Sequence, residues 1–225
     1  MSRARDMANL GSQAGSGLDA SDITTGTLGN TVQDNITRLG TVTTGTIGSS
    51  VTFPSGHVVQ VVSEPNTYNY TIGSASANHS TNYTLKKNST TDWEPSLTNV
   101  KQGNKILVVG HVCLSKGTDD AFIAYHLDAK VDSGSYANVA LGDSAGSRAR
   151  KFGMARPYSH YVVVVSPITY EYSPTISGST GTVTFRVTVS QGAGSNRDII
   201  VNRSGGDNTE TITAVSNMTL MEIQQ

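Results

Sequence analysis

The segment Thr182-Val-Thr-Phe-Arg-Val-Thr-Val189 alternates without a break, with Val183, Phe185, Val187 and Val189 on one side and Thr182, Thr184, Arg186 and Thr188 on the other. Only an extended strand, whose side chains point to opposite faces in turn, converts that spacing into one apolar and one polar face. Gly192-Ala-Gly194 closes the segment, and comparable clusters at Gly117-Thr-Asp-Asp120 and Gly205-Gly-Asp-Asn208 punctuate the flanking sequence. Read outward in this way, residues 57–63, 68–72, 82–86, 104–115, 121–131, 136–141, 160–172, 182–190, 197–202 and 210–222 are predicted strands. Ile106 to Val109 and Val162 to Val165 are continuously aliphatic, as expected of strands covered on both faces. Strands in this number without intervening helices predict an all-β fold, a jelly-roll-type β-sandwich. Composition agrees: 36% of the chain is hydrophobic and only 15% charged, with 23 glycines.

The pattern stops near Pro54-Ser-Gly56, which divides the 225 residues into a segment 1–55 and a β-sandwich domain 56–225. The first segment carries one phrase twice, Ile23-Thr-Thr-Gly-Thr-Leu-Gly29 and Val42-Thr-Thr-Gly-Thr-Ile-Gly48. Between the copies, Asn30 is placed to cap a helix with Gln33 three residues on, and Gly40 to end it. Val32, Ile36 and Leu39 form its single apolar stripe. So short a helix is marginal alone in water. Either it lies on its own globular domain, or three copies bury Val32, Ile36 and Leu39 around an axis. The flanking repeats are equally poor in apolar surface, which favours the homotrimer and an extended stalk. Ser2 could cap a further helical turn or two over Arg3 to Leu10, stopped by Gly11.

A net charge of -1 excludes the general attraction that nucleic acid or an anionic membrane exerts on a basic protein. No apolar run is long enough to span a bilayer, and the first ten residues lack the apolar stretch of a signal peptide, so folding in a cytoplasm is expected. Cys113 is the only cysteine, so no intrachain disulfide can form. It lies in an aliphatic strand, where a thiol acts as a small core residue rather than a nucleophile. No Gly-x-Ser-x-Gly elbow and no phosphate-cradling glycine loop is present, and no cofactor is expected. Asp119, Asp120, Asp128, Asp132 and Asp143 could supply the carboxylate pair of a glycan hydrolase, but mostly occupy turn sequences. His111 with Cys113, and His126 with Asp128, each share a strand face, a spacing open to metal ligation but better explained by hydrogen bonding. The most distinctive loop, 142–160, gathers Arg148, Arg150, Lys151 and Arg156 with Phe152 and Tyr158. Guanidinium forks beside aromatic faces suit an acidic sugar, a phosphate or a carboxylate-bearing partner, so these six are the candidate receptor contacts.

The repeated phrases resemble short linkers of tail-fibre and head-fibre proteins of tailed bacteriophages. The opening Ser2-Arg-Ala-Arg-Asp-Met-Ala-Asn-Leu10 looks like segments recurring in such proteins. The closing Asn217-Met-Thr-Leu-Met-Glu-Ile223 is similar to the final strand of trimeric, tumour-necrosis-factor-like knobs. The resemblance implies a virion structural protein assembled in the host cytoplasm, without enzymatic activity. It would be a short homotrimeric fibre docked on other virion proteins through Arg3, Arg5 and Met7, presenting its knobs to a host surface glycan or protein. A capsid decoration protein with no receptor, and a glycan depolymerase, are the alternatives.

Overall fold

The structure, a computed structural model, describes residues 54–117, 122–206 and 211–225. The twofold phrase, Val32, Ile36 and Leu39, and Arg3, Arg5 and Met7 lie outside the described residues. Among those described there is no helix. The strands are β1 (Val58–Asn66), β2 (Tyr70–Ala75), β3 (Tyr83–Thr84), β4 (Ser96–Lys101), β5 (Lys105–Lys116) and β6 (Ile123–Val131). They continue with β7 (Ala137–Asn138), β8 (Gly153–Ala155), β9 (Val164–Tyr172), β10 (Thr180–Gln191), β11 (Arg197–Val201) and β12 (Ser216–Ile223).

Two antiparallel sheets result. In the first, β12 lies between β1 and β5, and β9 takes the other edge of β5; β11 continues the β12 side of β5 and carries β2. In the second, β10 pairs with β6 along one edge and with β3 and β4 along the other, and β7 and β8 share the free edge of β6. The pairings are nested: β1 with β12, β4 with β10, β5 with β9, β6 with β8. A long antiparallel ribbon wound over two sheets gives this order, so the fold is the jelly roll.

The alternation that predicted β10 is realised: Val183, Phe185, Val187 and Val189 are fully buried. They meet Ile106, Val108, Val112 and Leu114 of β5, with Leu127, Ile168, Met218 and Leu220, in one core between the sheets. Burying each such side chain contributes about 1.5–3 kcal/mol relative to exposure, which is what drives the sheets together.

The sequence expectations need three corrections. The aliphatic runs are not covered on both faces within the chain: Ile106 and Val108 face the core, but Val109 and Val165 remain 36% and 60% exposed. A strand was missed at β4, because Asn99 takes a left-handed φ of 56° and the register slips there. That bulge puts the buried residues Leu97 and Val100 three apart, which hides the two-residue period. The other missed strand is β8, inside what reads as a continuous loop; Gly153 is required there because an added Cβ would strike the Tyr125 ring.

The ends of the domain are distinct. The Gly56 amide donates to the Gln224 carbonyl at 2.7 Å and the Gln224 amide to the His57 carbonyl at 2.9 Å, so the described chain begins and ends together. Val58 pairs with Ile223 at this end, whereas Asn66 pairs with Ser216 at the other. β5, β8 and β10 all end at that other, distal end.

Candidate functional site

The residues 140–151 interrupt one edge strand. Val139 donates its amide to the Leu127 carbonyl and Phe152 to the Tyr125 carbonyl, so β7 and β8 continue along adjacent positions of β6. The intervening chain is extruded from the edge and carries Arg148, Arg150 and Lys151. Two of these cations turn back on their own loop. Arg148 Nη1 donates to the Ala145 carbonyl at 3.2 Å and Arg150 Nε to the Gly142 carbonyl at 2.6 Å. Lys151 reaches instead to Asn82, with Nζ 3.2 Å from Oδ1. Partial burial holds the Lys151 ammonium below the usual lysine range, partly offset by Asp128.

Phe152 is only partly exposed. Its ring lies 5.7 Å from that of Tyr125 and 6.3 Å from that of Tyr170, against the core. Arg156 and Tyr158 follow β8 at the distal end, and Tyr158 is 83% exposed. The six residues grouped by sequence therefore divide into three loop cations, one half-buried aromatic packed against the core and an exposed distal pair.

Next to this loop the outer face of the second sheet is polar yet buried. His126, Asp128, Thr188 and Ser190 are all at most 5% exposed. Asp128 is the hub: it accepts from Asn138 Nδ2, from Thr188 Oγ1 at 3.3 Å and from Arg186 Nε at 3.3 Å. The Arg186 guanidinium also sits 3.8 Å from the centroid of the Tyr136 ring, with Lys130 Nζ at 4.6 Å. Burial, then the neighbouring Glu94, pushes the Tyr136 phenol well above its usual range. Burial, reinforced by Lys151, pushes His126 below the usual histidine value, so the imidazole is held neutral. His79, whose Nδ1 is 3.0 Å from Ser190 Oγ, is pushed down by burial and Lys151 in the same way.

The two metal-like pairs take different fates. His126 and Asp128 do share the outer face, within the polar band just described. His111 Nε2 lies 2.9 Å from the Val215 carbonyl, and Cys113 Sγ donates to the same oxygen at 3.4 Å. Among the described residues no three His, Cys, Asp or Glu side chains gather in a way that could hold a metal ion. Burial raises the Cys113 thiol above its usual value, which favours the unreactive protonated form.

Sequence reasoning did not find one further concavity among the described residues. A cleft of about 590 Å³ opens between the free edges of β2 and β3, walled by Tyr68, Tyr70 and Tyr83 and floored by the Lys86–Asp92 ion pair. Its residues come from the edges of two different sheets, a juxtaposition that no local pattern announces.

The sequence matches no protein-family model and no curated protein. Among solved structures, it is similar to one of infectious bursal disease virus, Gt strain, at 10% identity and a TM-score of 0.40, over 81% of this chain and 47% of that one. The crystal structure of an infectious bursal disease virus VP2 subviral particle matches at 10% identity and a TM-score of 0.34, over 80% of this chain and 46% of that one. The chain thus spans less than half the length of either. Likeness of this degree carries no argument about function.

Proposed function

We propose that the protein is a structural component of a tailed-phage virion. In this reading it is a short homotrimeric fibre of tail or head, anchored through residues 1–55 and presenting the jelly roll to a host surface glycan or protein. One observation carries the reading: the chain enters the domain at the end tied by Gly56 and Gln224, while Arg156 and Tyr158 stand at the opposite end. A domain attached at one end and furnished with exposed cationic and aromatic side chains at the other suits outward presentation. The twice-written phrase and the Val32, Ile36 and Leu39 stripe supply the reason for association. Three contacts on one axis raise effective concentration, so avidity exceeds the affinity of each knob.

Light scattering tests the trimer. Three copies of the 23.6 kDa chain weigh about 71 kDa, and a clean monomer overturns the stalk. Gold-labelled antibody against the protein, imaged on intact particles, tests the attachment, and competition of phage adsorption by purified protein tests the receptor role. Labelled particles whose adsorption is indifferent to competitor would make the chain a decoration protein instead.

A further inference from the structure

We infer that the cleft between the edges of β2 and β3 is a binding site for a neutral saccharide. Its volume of about 590 Å³ falls in the range of small-molecule sites, roughly 300–1,000 Å³. The chemistry narrows the class. Tyr68 and Tyr70 both line the cleft and are stacked, with ring centroids 5.1 Å apart and planes within 17°; the rings partly cover each other, and the outer face of the pair is the kind of aromatic surface that packs against the C–H face of a pyranose.

Two of the three tyrosines are anchored before any ligand arrives. The Tyr70 hydroxyl accepts the Lys86 amide at 2.9 Å, and burial pushes its phenol up to about 12, so it stays uncharged. The Tyr83 hydroxyl accepts the Ser76 amide at 3.0 Å. Rings fixed in this way lose little freedom on binding, which favours affinity.

The polar complement is neutral in sum. Lys86 Nζ lies 3.1 Å from Asp92 Oδ1, so its cation is matched by an adjacent carboxylate and offers no site for an isolated anion. A paired ammonium and carboxylate present donors and acceptors together, as vicinal hydroxyls require. Exposed Asn82 stands at the rim, tethered to Lys151. A phosphate or an acidic sugar would find the matching charge on the loop cations rather than here. The cleft belongs to the distal half of the domain, because Tyr70 pairs with Val201 and Tyr83 with Val189. The inference goes beyond the virion reading and does not depend on it: a free protein with this cleft would bind the same class of ligand.

Saturation-transfer NMR on the full chain, with maltotriose, cellotriose and galactotriose as neutral probes and trigalacturonate as an acidic one, tests the site. At least one neutral probe is expected to bind at millimolar concentration or below. Tyr68→Ala should weaken it about tenfold or more, while Tyr68→Phe keeps the ring and the affinity. Asn82→Ala, at an exposed position, should weaken it several-fold without loss of fold, and so serves if Tyr68→Ala proves unstable. The triple variant Arg148→Ala, Arg150→Ala, Arg156→Ala should leave neutral-sugar binding unchanged. Binding by none of the three neutral probes overturns the inference. So does binding that survives both cleft variants, or that follows the loop arginines. Any of these results would leave the particle-labelling outcome untouched.

Discussion

At the scale of single residues, two positions carry more than their size suggests. Gly110 in β5 lies so close to β12 that an added Cβ would meet the Asn217 carbonyl oxygen and stand 2.9 Å from Met218 Cα. Backbone cannot rotate aside as a side chain does, so Gly110→Ala should destabilise the domain by about 2–3 kcal/mol, read from denaturant unfolding. Glu222 is the second. Only 1% exposed, its carboxylate accepts Asn104 Nδ2 at 2.6 Å, the Lys101 amide at 2.9 Å and Gln60 Nε2 at 2.6 Å. It thereby ties β1, β4 and the turn before β5 to β12. Glu222→Ala removes the acceptor for all three and leaves the buried Asn104 amide without it, an expected loss of about 3 kcal/mol. Thermal unfolding of the two variants, side by side with an exposed control such as Val61→Thr, checks both.

At the scale of elements, the polar band on the outer face of β6 and β10 makes stability depend on pH. His126 is held below its usual value near 6.5 by burial and by Lys151, against the opposing pull of Asp128; His79 shares the direction. The unfolded chain therefore takes up protons that the folded chain refuses. Stability should fall as pH drops below about 6.5, and continue falling until the folded-state values are passed. His126→Gln should flatten that slope in urea titrations run between neutral and mildly acidic pH; an unchanged slope would assign the effect elsewhere. These elements also mark where the sequence is readable. The β10 face was legible because Val183 to Val189 keep a strict period. At β4 the left-handed Asn99 breaks the period, and at β8 the run Gly-Met-Ala offers too little side chain to signal a strand. Residues 142–160 stand out in the sequence for their charge, but nothing local told that Phe152 turns to Tyr125 while Tyr158 stays in water. The tyrosine cleft was invisible for a different reason: Tyr68 and Tyr83 are brought together only by the stacking of two sheets.

At the scale of the whole molecule, every principal pairing of the jelly roll closes within residues 54–225, and hydrogen bonds between Gly56, His57 and Gln224 fasten its ends. A chain shortened to residues 54–225 should therefore keep a single cooperative unfolding transition, and under the trimeric reading proposed above light scattering should give the mass of a single copy. Loss of the transition itself would mean that the leading segment contributes to the fold and not only to association. The placement of β12 has a further consequence, for manufacture. The strand that lies between β1 and β5 is the last of the described strands to be synthesised. Until β12 has been made, β1 and β5 have no partner between them, and the nascent polypeptide must wait with two raw borders and without Met218 and Leu220 in its interior. A product that stops short of β12 would lack the strand that joins β1 to β5 and would have no route to the native state.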